Sequence, residues 1–342
     1  MRLALRLSEV APDLCAAEAK KAIEAGVMES SADNAYLPPK ADGSWGQDYN
    51  YTMFQITWNG PLNMTTSFEK LVTNIGGIDW PEGVVNSRPT ITGGAAIPVS
   101  SVHPAKVDPR APIMFAPAID GGDWRGVPPG LSRTEANAGI YKRVNLPELG
   151  TLVKGGAAYK SRPYDVFLYE EVCFLKAEAA LRGFITGDAK TEYENGVNAS
   201  FATWGVAAQA GDYLASTAKN GAGTSANFND VSGNGNTALE KIITQKYLAL
   251  FPDMSMEAWN DKRRLNLPRM DVPAFRHELL YDNSNKDIKN PSNFIRRIQY
   301  PQNELTINKT EYDKGLALLG GADNVTIAIW WDKKSNHCTS AQ

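Results

Sequence analysis

The stretch 164–188, YDVFLYEEVCFLKAEAALRGFITGD, constrains this chain more than any other part of it. Leu168, Val172, Leu175 and Ala179 recur at i, i+4, i+7 and i+11, which predicts one long amphipathic helix with these residues on a single stripe. Ala177, Ala179 and Ala180 are small enough to let a second helix approach closely. Gly183 and Gly187 are expected to end the helix, and Asp188 has the chemistry to cap the next one. Tyr193, Val197, Phe201 and Trp204 carry the helical spacing onward, so an antiparallel helix hairpin follows. A second pair is predicted downstream. Thr237 and Glu240 stand at capping-box spacing, and Leu239, Ile242, Ile243, Tyr247 and Leu250 form the apolar stripe. Asp253 is expected to cap a further helix that carries Met256 and Trp259 and runs to about Arg264. Residues 165–265 therefore read as two helix-turn-helix units in tandem, and such units stack into a superhelix. Their spacing is irregular and the usual tetratricopeptide signature is absent. This chemistry describes a scaffold and leaves its task open.

At 342 residues and 43% hydrophobic, the chain can bury a full-sized core. Its net charge of −3 gives no basic excess for nucleic acid, and no apolar run approaches the roughly 20 residues of a membrane helix. Three widely spaced cysteines, Cys15, Cys173 and Cys338, make neither a disulfide framework nor a metal cluster. Cys173, inside the main helix, reads as a small hydrophobe. The sequons at Asn63, Asn198, Asn308 and Asn324 read as chance matches, since Asn198 falls in a predicted helix.

Residues 1–10 look like the last turns of a helix, with Leu3, Leu7 and Val10 on one side, no cap before them and no signal-peptide pattern. The expectation is a longer protein truncated at this point. A second short helix should start at Pro12, bury Ala16, Ala19 and Ile23, and end at Gly26. Gly and Pro crowd the region 38–163, and the dense turn signals from 76 onward predict loops, which in a compact protein tend to carry function. Within or beside it, 49–58 has strand propensity, 64–75 could be a helix with Phe68, Leu71 and Val72 inward, and 112–119 could be a strand. Residues 205–236 read as a low-complexity Gly/Asn/Ser/Ala insert. In the turn-rich part 266–342, residues 311–319 could be a short helix, and 325–331, VTIAIWW, is the best strand candidate in the chain.

Four pieces carry a family resemblance: EVCFLKAEAALRGFITGDAKTEYENGV followed by ASFATWGV; ALEKIITQKYLALFPDMSMEAWNDKRRL; RRIQYPQNELTINKTEYDKGLALLGGADN with its trailing IWWD; and the opening RLALRLSEVAPDLCAAEAKKAIEAGVMESSADNAYL. Together they resemble SusD/RagB-like proteins, from end to end and in the right order. The resemblance implies an outward-facing outer-membrane lipoprotein of Bacteroidetes. Such proteins bind glycans, or sometimes peptides, as a lid on a SusC-like TonB-dependent transporter, and they are not enzymes. It implies a mainly α fold: a right-handed superhelix of tetratricopeptide-like helix pairs with a large irregular, loop-rich region and a few short strands. On this reading 1–342 is one domain. It comprises a helix hairpin at 1–30, a loop-rich ligand-side region at 31–163, tandem helix pairs at 164–265 and an irregular C-terminal part at 266–342. The chain departs from the family in lacking a signal peptide, a lipid-bearing cysteine and the first helices. Cys15 lies in a helix and is not a lipidation cysteine.

A glycan binder needs aromatic rings on rigid backbone, with polar side chains for the sugar hydroxyls. Stacking contributes ~1 kcal/mol per ring, so several rings are needed. Trp45, Tyr49, Trp80 and Trp124 qualify as loop aromatics, each with polar company: Asp42 and Gln47, Asp48 and Asn50, Asp79 and Glu82, Asp123 and Arg125. The competing reading is that each ring pins its own loop as a satellite core residue. Trp124, in GGDWRG, is the foremost candidate, because flanking glycines should leave its ring exposed. Trp204, Trp259, Trp330 and Trp331 are expected in the core. His103, His277 and His337 fit no catalytic or metal-ligand pattern and read as surface or loop residues. No local signature nominates a glycosidase carboxylate pair. The run 282–287, DNSNKD, lacks the Gly and Glu of a calcium loop and reads as a turn. No cofactor, metal or catalytic residue is therefore expected. The alternative function is a peptide-binding or scaffolding helical-repeat protein, which would favour charged or Asn residues on inner helix faces.

Overall fold

The structure is a computed structural model and describes residues 1–38, 63–82, 103–116, 124–129, 131, 148–150, 163–271 and 295–341. In chain order the first elements are helices α1 (Arg2–Arg6) and α2 (Pro12–Glu24), strand β1 (Ala35–Leu37) and helix α3 (Thr66–Val72). Then come α4 (Ala111–Met114), β2 (Phe115–Ala116), β3 (Glu148–Leu149) and β4 (Tyr164–Phe167). The scaffold helices follow: α5 (Tyr169–Leu181), α6 (Ala189–Thr203), α7 (Ala210–Ala215), α8 (Ala238–Ala249) and α9 (Ser255–Leu265). Helices α10 (Gln302–Ile307) and α11 (Lys309–Leu318) are the last.

The long helix expected over 164–188 is shorter, and it is not amphipathic. Tyr164–Phe167 is a strand that pairs antiparallel with β1, because its aromatic and β-branched residues suit a pleated edge and a partner edge lies beside it. Helix α5 then starts at Tyr169, whose amide donates to the Asn34 side chain at 2.7 Å. That cap comes from far away in sequence, so local chemistry could not reveal it. The expected stripe is buried, but so are Glu170, Glu171, Cys173, Phe174, Ala177 and Glu178. A helix covered on every side is a central helix. It lies between α6 and α8 and also meets α1. Gly196 of α6 faces Phe174 so closely that a Cβ there would sit 2.7 Å from the ring. Two of the three buried carboxylates of α5 are paired with cations: Glu171 with Arg2 at 2.5 Å, and Glu178 with Arg264 and Arg182.

The turn at Gly183, the Asp188 cap and the Thr237–Glu240 capping box form as their sequence chemistry predicts. Asp253 does not cap α9. Its Oδ2 accepts the Asp165 amide at 3.0 Å, and the N-cap residue is Met254. The low-complexity insert 205–236 is packed, with α7 inside it and polar side chains tying its turns together. Asn220 donates to the Leu71 carbonyl at 3.0 Å and accepts the amides of Ala222 and Thr224. The buried Lys241 ammonium bonds Ser225 Oγ at 2.7 Å and the Ser225 carbonyl at 3.1 Å. In the expected strand 325–331 no strand forms, because the Val325 carbonyl accepts the amides of Arg296 and Arg297 instead of a ladder partner. Trp330 is 74% exposed rather than buried. Trp331 is the inward ring, flanked by the guanidinium groups of Arg6 at 5.2 Å and Arg263 at 4.6 Å. At the start of the chain Ala4 and Leu5 turn inward, whereas Leu3 is 78% exposed. The run 112–119, described as far as 116, lies in helix α4 to Met114 and continues as β2; the strand expected at 49–58 lies outside the described residues.

Two main clusters form the core. One lies within the scaffold and contains Phe174, Tyr193, Val197, Phe201, Tyr213 and Ile242. The other lies where loops meet the scaffold and contains Met64, Phe68, Trp80, Met114, Trp124 and Trp204.

Candidate functional site

The second cluster joins the loops to the helices, and its construction starts with a short ladder. Segments 73–80 and 103–107 pair through bridges at Thr73–Val107 and Asp79–Lys106. Trp80 N donates to the Ala105 carbonyl at 2.9 Å, and Val107 N to the Ile78 carbonyl at 2.9 Å. Lys106 closes the edge with bonds to Asp79 at 2.9 Å and the Gly77 carbonyl at 2.8 Å.

Arg110 fastens this ladder to the scaffold. It is fully buried, and its guanidinium grips Asp108 through two bonds at 3.0 and 2.7 Å. The same group reaches Ser200 of α6 at 2.8 Å and Gln245 of α8 at 2.7 Å. The Tyr213 hydroxyl of α7 donates to Asp108 at 2.7 Å. Burial opposes the guanidinium charge, but Asp108 and Tyr213 outweigh it and raise the Arg110 pKa. Burial raises the pKa of the Tyr213 hydroxyl in turn, so this phenol stays a donor. A buried, fully bonded pair of this kind is costly to break, which makes it a rigid mount.

On this mount sit three rings. Trp80 and Trp124 meet edge to face, with centroids 5.0 Å apart and planes at 72°. His103 lies flat on Trp80 at 4.6 Å and 12°. The expectation of an exposed Trp124 is not met: its ring is 5% exposed and that of Trp80 is 8%. The reason is Gly126. A Cβ at Gly126 would come within 2.2 Å of the Thr65 backbone, so glycine lets the 124–127 segment lie directly against Thr65. The Val127 carbonyl accepts Thr66 N at 3.0 Å, and Val127 N donates to the Met64 carbonyl at 2.8 Å. The glycine thus draws the indole in rather than leaving it out. Glu69 accepts the Gly126 amide at 2.7 Å, and burial raises its pKa. Trp124 Nε1 is buried and has no hydrogen-bond partner among the described residues.

Among the sequence candidates, then, the structure brings Trp80 and Trp124 together, and Arg125, the chain neighbour of Trp124, is half-buried. Trp45, Tyr49 and Asp123 lie outside the described residues, as does 282–287. His103 joined no sequence candidate, since its partner Trp80 stands on the other strand of the ladder. Among the described residues no group of three or more His, Cys, Asp or Glu could hold a metal ion. None of the described helices is long and apolar enough to cross a membrane.

Residues 99–332 match the family SusD-like, described as Susd and RagB outer membrane lipoprotein. The chain belongs to the SusD-like family. It is similar to the crystal structure of a SusD homologue from Parabacteroides distasonis, with 61% identity over 100% of this chain and 66% of that one, and a TM-score of 0.89. A SusD homologue from Bacteroides vulgatus shares 29% identity over 98% of this chain and 61% of that one, with a TM-score of 0.70. A chitin-binding SusD homologue from Flavobacterium johnsoniae shares the fold, at 23% identity over 98% of this chain and 62% of that one, with a TM-score of 0.69. The chain thus spans 61% to 66% of the length of these relatives. No curated protein matches it. The SusD-like membership fits the architecture: a mainly α fold of tetratricopeptide-like helix pairs, α5–α6 and α8–α9, with few and short strands.

Proposed function

We propose that this SusD-like chain is a non-catalytic, cell-surface glycan binder. It captures oligosaccharide and passes it to a SusC-like TonB-dependent transporter at the outer membrane, where the whole protein is lipid-anchored and faces outward. One observation carries the reading. Aromatic rings borne by loops converge at Trp80 and Trp124, on a mount that Arg110 fixes to three scaffold helices. Rigid rings are what sugar stacking requires, because a preorganised surface loses little entropy on binding. Family membership and the chitin-binding relative support the same reading. In this proposal Trp80 and Trp124 are the buried base of the site, and Trp45, Tyr49, Asp123 and Arg125 supply its stacking and polar contacts.

Affinity electrophoresis in native gels cast with glycol chitin, amylopectin, xylan or mucin tests this directly. The expected result is retardation of the parent protein by at least one glycan, with Trp45→Ala and Tyr49→Ala running faster than the parent on that gel. A parent that no glycan retards would contradict the binding reading. Retardation unchanged in both variants would remove Trp45 and Tyr49 from the site.

A further inference from the structure

Resting on the glycan-binding reading, a more specific assignment follows from the ring stack. We infer that His103 is the ring on which a pyranose unit of the glycan stacks, with Trp80 and Trp124 as its buried support. His103 is exposed, whereas the two indoles beneath it are not. Its inner face is fixed on Trp80 at 4.6 Å and 12°, so the outer face is a flat, oriented aromatic surface. Trp80 is in turn fixed by Trp124 against its edge and by its own amide on the Ala105 carbonyl. The ladder below leads to Arg110 and the helices, so the ring stands on rigid backbone.

The edge of the imidazole supplies the polar half of the chemistry. His103 Nδ1 lies 3.1 Å from the Pro104 carbonyl oxygen. A carbonyl oxygen only accepts, so the tautomer that makes this bond has its proton on Nδ1 and its acceptor at Nε2. Among the described residues Nε2 has no protein partner. A ring face for the C–H groups of a sugar and an adjacent acceptor for one of its hydroxyls are the two contacts a pyranose needs. The ionic pair of the same ladder, Lys106–Asp79, is engaged with itself and with the Gly77 carbonyl. It therefore leaves the imidazole edge to the ligand.

The test is calorimetric titration of parent, His103→Ala and His103→Phe with the glycan that retards the parent most. His103→Ala removes both contacts and should weaken binding about tenfold, the combined size of one stacking contact and one hydrogen bond. His103→Phe keeps the stack and loses the acceptor, so its affinity should fall between the two. His103→Phe keeps the stack on Trp80 and should melt with the parent, whereas His103→Ala gives it up and should melt slightly lower. Unchanged affinity in His103→Ala would overturn this assignment while leaving the glycan-binding reading intact. Tighter binding by His103→Ala would also overturn it, since the imidazole would then be a cover over Trp80. If the parent binds none of the glycans, the binding reading fails and this assignment fails with it.

Discussion

Glu170 shows how a single buried group sets a measurable property. One of its oxygens accepts the Thr203 hydroxyl at 3.1 Å, and the other is buried with no partner among the described residues. Burial raises its pKa above the usual 4.5. A carboxyl whose folded pKa is raised contributes most to stability below its unfolded value, and that contribution is lost as pH rises through the folded value. Glu170→Gln should therefore stabilise the fold at pH 7 relative to the parent, and the gain should vanish below pH 4.5. Urea unfolding of parent and variant at pH 7 and pH 4 measures this, and a variant less stable at pH 7 would contradict it. Glu178 is the opposite case, because Arg264 and Arg182 both use its charge. Truncating Glu178→Ala should cost about 3–5 kcal/mol by leaving Arg264 buried and poorly paired, read as a lowered urea midpoint. At this scale the sequence is legible where the deciding partner is three residues away, as at Asp188 and Thr237. It misleads where the partner is distant. Trp124 is drawn in by an approach to Thr65, Asp253 is taken by Asp165, and Trp331 rather than Trp330 meets the two arginines.

Helix α6 is the element where propensity and packing disagree. Glycine in a helix interior costs about 1 kcal/mol relative to alanine. Yet a Cβ at Gly196 would stand 2.7–3.0 Å from Phe174, a ring with no room to move because it is fully buried. Packing wins here, so Gly196→Ala should destabilise the protein by about 1–3 kcal/mol, the usual size of an overpacking penalty. A variant with a raised melting temperature would show that α5 and α6 can separate at small cost. The hairpins were readable because a 3.6-residue period survives in any sequence that packs helix on helix. The first four residues of 164–188 were not, because β4 exists only through β1, more than a hundred residues earlier. The same dependence explains 325–331, whose composition suits a strand but whose Val325 carbonyl is taken by Arg296 and Arg297.

Across the whole molecule, one buried cluster couples scaffold to loops. Arg110 and Asp108 engage α6, α7 and α8 at once, and the ring stack of His103, Trp80 and Trp124 sits on the same ladder. The helical scaffold was legible from residue order and spacing. The site was legible only as a set of candidate rings, because which ring faces outward depends on contacts between segments far apart in the chain, His103 on Trp80 and Gly126 on Thr65. The central claim is that the chain captures glycan without turning it over. Its most direct test is to incubate the protein with the glycan that retards it and follow both the bound fraction and the reducing ends over time. The account predicts saturable binding with reducing ends constant at the no-protein level. Reducing ends that rise with time and with protein concentration would contradict it.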